Sequence, residues 1–142
     1  MAWIQPKTNW YCEIIDGVYS GDRFNASDYN RIKNNLSHLH ALALSLYKSF
    51  SIQSVGNDKL IGEFFYADEI NKLESNLDTI NRHTINRPYG DTPTYVDNGR
   101  TFDFNELNRL ESAILDLYER MNNQKIGRRQ FKWNFGMLGG GL

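Results

Sequence analysis

The apolar residues of this chain fall into three stretches in which they recur at alternating intervals of three and four residues. Such spacing keeps apolar side chains on one face of an α-helix. It predicts helices over about 27–50, 68–83 and 105–123, and a mainly α fold in which they form a three-helix bundle with coiled-coil-like seams. The seam positions are Tyr29, Ile32, Leu36, Leu39, Ala43, Leu46 and Phe50, then Ile70, Leu73, Leu77 and Ile80, then Leu107, Leu110, Ile114, Leu117 and Met121.

Each predicted helix opens with the same short pattern. FNASDYNRI (24–32), FYADEINKL (65–73) and FDFNELNRL (102–110) share a Phe, five variable residues, an Asn, a basic residue and Ile or Leu. Their fourth residues, Ser27, Asp68 and Asn105, are of the types preferred as N-caps, and the shared Asn suits a capping box. The agreement at the Phe and the Asn exceeds what capping requires. It favours an internal triplication over convergence, which remains the alternative.

The connections and ends differ from the helices. A small β-hairpin is predicted near 93–102, because Asn98-Gly99 suits a tight turn between β-forming residues. The chain divides into an extended N-terminal arm over 1–23, a helical domain over 24–124 and a C-terminal arm over 125–142. In the last of these, apolar and polar residues alternate through QFKWNFGM (130–137), which indicates a β-strand.

All three tryptophans lie in the two arms, whereas the helical seams use mainly Leu and Ile. Large aromatic side chains bury much area at small entropic cost, so the arms are predicted to dock on another protein chain. The alternative is that both arms wrap the bundle of their own chain. The predicted partner-binding residues are Trp3, Pro6, Trp10, Arg128, Arg129, Phe131, Trp133 and Phe135. The first helix also carries extra apolar residues (Leu42, Leu44, Tyr47), which indicates a central position or contact with a second subunit.

Charge is unevenly distributed along the chain. The net charge is −1, yet every charged residue after position 124 is basic, namely Lys125, Arg128, Arg129 and Lys132. This tail suits an acidic partner or nucleic acid, or it folds back on the acidic body of its own chain. Nucleic acid is disfavoured, because a pI of about 6.3 gives no basic footprint.

No catalytic, cofactor-binding or metal site is predicted. His38 and His40 point to different faces of one helix, and His83 suits a structural place near a helix end. The acids Glu69, Glu74, Glu106 and Glu111 alternate with Lys72 and Arg109 as on a solvated helix face. The single Cys12 excludes a disulfide framework. With no signal-peptide pattern and no run of about 18 apolar residues, a soluble protein without membrane contact is expected.

Three stretches carry a resemblance to a known group of proteins. They are W-x-x-P-K-T-x-W at 3–10, GDRFNASDYNRIKNNL at 21–36 and NGRTFDFNELNRLESAILDLYE at 98–119. Together they resemble small structural proteins of tailed phages of Gram-positive bacteria, which are tail or baseplate components or attachment modules of tail fibres, and related modules of phage-tail-like bacteriocins. The resemblance implies a virion component without catalysis, made in the host bacterial cytoplasm and present in several copies.

The predicted function is therefore a non-enzymatic tail, baseplate or tail-fibre connector that docks on other virion tail or baseplate proteins through its aromatic arms. A homo-oligomer is expected, and a trimer is favoured because it suits a fibre axis, although the same seams serve an internal three-helix bundle. Two alternatives stay open: a receptor-binding module of the tail tip, and a nucleic-acid-binding helical domain.

Overall fold

The computed structural model describes residues 3–63, 65–90, 93–96 and 103–139. Within them the chain forms helices α1 (Ala26–Leu46), α2 (Ala67–His83) and α3 (Phe104–Gly139), and an antiparallel pair of strands, β1 (Cys12–Ile15) and β2 (Val18–Gly21). The prediction of a mainly helical three-helix bundle is confirmed. The predicted seams form its core: all seam residues but Leu46 and Phe50 are buried, and those two pack against the core at partial exposure.

The helix starts lie one residue before their predicted positions, and the N-caps were predicted wrongly. The cap residues are Asn25 for α1 and Tyr66 for α2, rather than Ser27 and Asp68. Their backbone N–H groups donate to the carboxylates of Asp28 (2.8 Å) and Glu69 (3.0 Å). In α3, which was predicted to be capped by Asn105, the Glu106 N–H donates to Asp103 Oδ1 at 2.9 Å. The feature that all three helices share is thus an acid at the third helical position. There its carboxylate accepts a hydrogen bond from the cap residue or interacts favourably with the helix dipole.

Near their starts, the helices are joined by charged pairs. Arg31 of α1 pairs with Glu111 of α3 at 2.7 Å, and Arg109 of α3 pairs with Glu74 of α2 at 2.5 Å. Each arginine is the sixth residue of its helix and each glutamate is the eighth. The starts of the three helices therefore lie at the same end of the bundle.

The ends of α1 and α2 also meet, beside the part of α3 near Gln124. Tyr47, directly after α1, donates through its hydroxyl to the side chain of Gln124 in α3. The ring of Phe50 lies 5.0 Å from that of His40 in α1 and 4.6 Å from that of His83 at the end of α2. Since the three starts lie together, and the ends of α1 and α2 lie together beside the part of α3 near Gln124, the three helices run parallel to one another. No helix is central, because each packs on the other two.

Parallel helices require the chain to return from the end of one helix to the start of the next. The two returning segments and the segment that precedes α1 lie in the grooves between helices. We name them groove segment 1 (residues 3–10, between α1 and α3), groove segment 2 (residues 50–59, between α1 and α2) and groove segment 3 (residues 87–90 and 93–95, between α2 and α3). Each segment precedes one helix and packs on that helix and one neighbour, so the fold is three successive segment-plus-helix units.

Two predictions about strands need correction. The β-strand predicted within 130–137 is wrong, because α3 continues as helix through Gly139. Extending a formed helix fixes one residue for each new hydrogen bond, so propagation is far easier than starting a new element. Of the hairpin predicted near 93–102, residues 93–96 form no strand, and residues 97–102 lie outside the described part of the chain.

The observed hairpin lies earlier, at β1 and β2, where none was predicted. Ile15 pairs with Val18, so Asp16 and Gly17 form a two-residue turn. Both have positive φ (51° and 77°), as a type I′ turn requires. The Asp-Gly dipeptide is a strong sequence signal for that turn. The hairpin lies inside the arm that was predicted to be extended over 1–23.

Candidate functional site

The Asn shared by the three sequence repeats binds a groove segment in every unit. Each is the fifth residue of its helix. Its Nδ2 donates to the backbone carbonyl of one groove-segment residue, and its Oδ1 accepts the N–H of the same residue. The pairs are Asn30 with Lys59 (2.9 and 2.7 Å), Asn71 with Tyr95 (2.7 and 2.7 Å) and Asn108 with Trp10 (3.0 and 2.7 Å). The shared Asn is therefore a backbone clamp, and its interpretation as a capping residue was wrong.

A second clamp lies five residues further along two of the helices. Asn35 holds the backbone of Ile4 (2.7 and 3.1 Å), and Asn76 holds that of Gln53 (3.0 and 2.8 Å). The two clamped residues of a segment are six positions apart both in groove segment 1 (Ile4 and Trp10) and in groove segment 2 (Gln53 and Lys59). In the third unit Ala113 occupies the Asn position, and groove segment 3 is fixed instead by the hydroxyl of Tyr89, which donates to Asp116 Oδ2 at 2.7 Å. The three units are equivalent by position, and their contacts diverge here.

Glu111 is the polar centre of the groove between α1 and α3. It is fully buried, and its two carboxylate oxygens accept four hydrogen bonds. The donors are the N–H of Lys7 (3.1 Å), the indole N–H of Trp10 (2.5 Å) and two guanidinium nitrogens of Arg31 (2.7 and 2.9 Å). A buried carboxylate is stabilised when it is paired and hydrogen-bonded on both oxygens. Glu111 therefore joins α3, α1 and groove segment 1.

Glu74 occupies the equivalent position of α2 with far fewer partners. It is 2% exposed, and Arg109 Nη2 donates to its Oε1 at 2.5 Å. Its Oε2 is buried and has no hydrogen-bond partner among the described residues. Burial raises the pKa of Glu74, and this outweighs the opposite effect of Arg109. Both glutamates were predicted to lie on a solvated helix face, and that prediction was wrong.

The predicted N-terminal docking residues pack on their own chain. Trp10 is 5% exposed, and Pro6 is buried. Trp3 is partly buried and stacks on Tyr118 of α3, with ring centroids 3.8 Å apart and planes at 6°. These three residues are thus internal contacts of groove segment 1, which corrects their prediction as contacts of a free arm. The alternative, an arm that wraps its own bundle, holds for residues 3–10.

The C-terminal docking residues remain a prediction. Their backbone continues α3, while the side chains of Arg128, Arg129, Phe131, Trp133 and Phe135 lie outside the described part of the structure. Gln124 is the last residue of α3 with a described hydrogen bond to another element. From there to Gly139 the helix extends for about 22 Å at about 1.5 Å per residue.

The helix-start end of the bundle exposes apolar side chains at equivalent positions of all three units. The residue directly after each Asn-clamped residue is large, apolar and solvent-exposed: Tyr11 is 55% exposed, Leu60 71% and Val96 65%. The second unit also exposes Ile61 at 100% and Tyr66 at 54%. Single exposed apolar residues are normal on a protein surface, but these three recur in register at the same end of the bundle. We call Tyr11, Leu60 and Val96 the apolar triad.

The histidines have structural partners. His38 lies beside the stacked rings of Trp3 and Tyr118. His40 Nε2 is 2.9 Å from the carbonyl oxygen of Phe50, whose ring also stacks on His83. Among the residues that the structure describes, no group of three or more His, Cys, Asp or Glu side chains is close enough to hold a metal ion. No described helix combines the length and apolarity needed to cross a bilayer.

An open cavity of about 710 Å³ lies between α1 and groove segment 2. Its charged lining residues, Lys33 and Asp58, pair with each other at 2.5 Å, and Lys33 also donates to the carbonyl of Gly56. The pair lies where the other two grooves have their arginine–glutamate pairs, since Lys33 occupies the α1 position equivalent to Glu74 and Glu111. The groove between α1 and α2 thus has a lysine–aspartate pair where the other two grooves have a buried arginine–glutamate pair, and the cavity lies beside it.

Comparison with known proteins gives no relative from which a function could be carried over: no family model, curated protein or solved structure matches this chain.

Proposed function

We propose that this chain is a non-enzymatic structural connector of a phage tail, a tail, baseplate or tail-fibre component that docks on neighbouring virion subunits. The docking part is supported by the apolar triad, in which one exposed position recurs in each of three equivalent units. The virion part is supported by the sequence resemblance described above. The docking surface proposed here replaces the N-terminal tryptophans, which are used inside the chain.

A surface with three equivalent patches suits a partner that has threefold rotational symmetry, because such a partner presents one complementary patch three times around its axis. One copy of the chain then makes three similar contacts. The helical seams are filled within a single chain, so burial of the seams provides no drive toward a homotrimer. A homo-oligomer, if formed, uses parts of the chain other than the seams.

The test uses the phage or prophage that encodes the chain. A triple variant, Tyr11→Asp, Leu60→Asp and Val96→Asp, places charges on the apolar triad, and Leu44→Asp is the matched control because Leu44 is 42% exposed and lies near the other end of the bundle. Purified particles are analysed by mass spectrometry and immunogold labelling. We expect the wild-type chain and the control in the particles, and the triple variant folded but absent from them. Absence of the wild-type chain from particles would refute the virion assignment, whereas retention of the triple variant would refute the docking surface alone.

A second candidate function is supported by the helical course of α3. Positions 125, 128, 129 and 132, all basic, are spaced i, i+3, i+4, i+7 along α3 and therefore share one side of that helix. This arrangement suits an acidic partner or a nucleic acid backbone. Binding to a single-stranded oligonucleotide, measured by fluorescence anisotropy between 20 and about 200 mM salt, decides between the two, because phosphate contacts weaken steeply with salt. Absence of binding at low salt removes nucleic acid.

A further inference from the structure

We propose that the groove between α1 and α3 is a peptide-binding site for residues 3–10, and that a second copy of this chain can supply that segment in place of the chain's own. The proposal rests on the contacts of groove segment 1. It is independent of the virion assignment and of the apolar triad.

Groove segment 1 is held as a peptide ligand is held in a binding groove. The backbone N–H and C=O of Ile4 and of Trp10 are each bound by one Asn side chain, and the N–H of Lys7 donates to Glu111. In peptide recognition such main-chain hydrogen bonds provide affinity for any extended segment, and side-chain pockets provide specificity. The groove supplies both kinds of contact.

Specificity comes from two aromatic residues of the segment. Trp10 is 5% exposed, lies parallel to Phe104 at 5.6 Å between ring centroids, and donates its indole N–H to Glu111. Trp3 stacks on Tyr118. Buried aromatic residues in well-formed pockets supply most of the binding energy of typical interfaces. The ligand is therefore an extended segment with tryptophans seven positions apart.

Exchange is open to this segment alone among the three. Groove segments 2 and 3 each join two helices of the bundle, so neither can leave its groove without displacing both helices. Groove segment 1 is joined to a helix of the bundle on one side only. The link from this segment to its helix is also longer than that of groove segment 2. From Trp10 to Asn30 there are 20 positions, against 12 from Lys59 to Asn71, and the longer link contains the β1–β2 hairpin.

Concentration decides between the closed and exchanged forms. A segment tethered by a short flexible link has an effective concentration on the order of millimolar. Isolated dilute copies are therefore expected to be closed monomers. Exchange is expected where copies are held together at comparable local concentration, as in an assembly.

Two full-length variants test the exchange. The first carries Trp10→Ala, which weakens its segment and leaves its groove intact. The second carries Asn35→Asp and Asn108→Asp, which replace the amide donors of both clamps by carboxylate oxygens and leave its segment intact. We expect each alone to be monomeric by native mass spectrometry, and a heated and cooled mixture to give a 1:1 heterodimer. A matched second variant that also carries Trp10→Ala should give none. No heterodimer in the first mixture, or an equal yield with the matched variant, would overturn the exchange.

A peptide keeps the test decisive where the Trp10→Ala chain folds poorly. A synthetic peptide of residues 3–11 at about 1 mM should raise the Tm of the Trp10→Ala chain in a concentration-dependent manner, as for any ligand that binds the folded state. The same peptide with Trp10→Ala should have no effect. A Leu73→Ala chain, whose missing core side chain lies outside this groove, should not be rescued by either peptide. Absence of rescue at 1 mM would overturn the peptide site itself, and rescue without any heterodimer would overturn the exchange between copies.

Discussion

Replacing Glu111 by Gln should destabilise the protein far more than the same replacement at Glu74, although the two residues occupy equivalent positions of α3 and α2. Both glutamates are buried, at 0% and 2% exposure, and both pair with an arginine. They differ in the rest of their hydrogen bonds. Among the described residues, Glu111 accepts four hydrogen bonds, whereas Glu74 accepts one and has a buried oxygen without a partner.

The expected loss follows from what Gln does at each place. At position 111 it removes the charge that faces Arg31 and turns an amide N–H₂ toward N–H donors that need an acceptor. Removing one partner of a buried pair costs about 3 to 5 kcal/mol. Arg31 keeps Asp28 at 2.9 Å, so we expect the lower part of that range, about 3 kcal/mol, and a Tm lowered by about 10 °C.

At position 74 the same change should cost less than about 1 kcal/mol. The lost pairing with Arg109 is offset because the cost of burying an incompletely hydrogen-bonded carboxylate disappears as well. Arg109 also keeps Glu106 at 2.9 Å. Glu119→Gln, on an exposed side of α3, is the control and should change the free energy of unfolding by less than about 0.5 kcal/mol.

The assay is urea unfolding at pH 7, followed by circular dichroism at 222 nm, with equal m-values as the check that only stability has changed. Equal losses at positions 111 and 74, or a larger loss at 74, would show that the number of donors around a buried carboxylate does not decide its contribution in this bundle. The account of the groove between α1 and α3 would then be wrong.

Three further predictions concern the clamps, the hairpin and pH. Asn71→Asp should lower the free energy of unfolding by about 2 kcal/mol, because it removes the amide N–H that donates to the Tyr95 carbonyl. Asn105→Asp, at an exposed position, should lower it by almost nothing; equal losses in urea unfolding would contradict the clamp. Gly21→Ala should lower the Tm, since Gly21 has φ 127° and a Cβ there would lie 2.6 Å from the Tyr11 carbonyl oxygen. Gly56→Ala, where the added Cβ meets open space, should leave the Tm unchanged; no difference between the two variants would contradict the close approach of Gly21 to Tyr11. The folded-state pKa of Glu74 lies above its ordinary value of 4.5, so the folded chain binds that proton more tightly than the unfolded chain does. Wild type should therefore gain stability relative to Glu74→Gln as the pH falls from 7 toward 5, and a stability difference that stays constant would refute the raised pKa.

The sequence was sufficient for the helices and their seams, because periodicity of apolar residues is a local property. It also showed the repeat of Phe and Asn at the three helix starts. The role of that Asn was not visible, since its partners lie 24 to 98 residues away. A capping role was the nearest local explanation, and the structure replaces it with a long-range contact to a groove segment.

The glutamates and tryptophans show the same limit. Glu74 and Glu111 flank the seams, so helical periodicity alone assigns them to solvent. In the structure both are buried, Glu74 beside Arg109 of α3, and Glu111 beside Arg31 of α1 and groove segment 1. The tryptophans near the start of the chain were predicted to dock on another chain, with packing on their own bundle as the alternative. Sequence pattern does not specify whose groove an anchor fills, and here it is the groove of the same chain.

The divergence of the three units follows from how each groove segment is attached. Ordering a segment costs conformational entropy, and a segment joined to helices at both ends has already lost part of that freedom. Groove segment 1 is joined to a helix of the bundle on one side only, and it has the most complete set of contacts: both Asn clamps, the carboxylate of Glu111 and two aromatic pockets. Groove segment 3 has no second clamp, because Ala113 occupies the Asn position, and groove segment 2 has no buried glutamate, because Lys33 occupies that position. The contacts are thus most complete for the segment that the helices of the bundle hold covalently at one end.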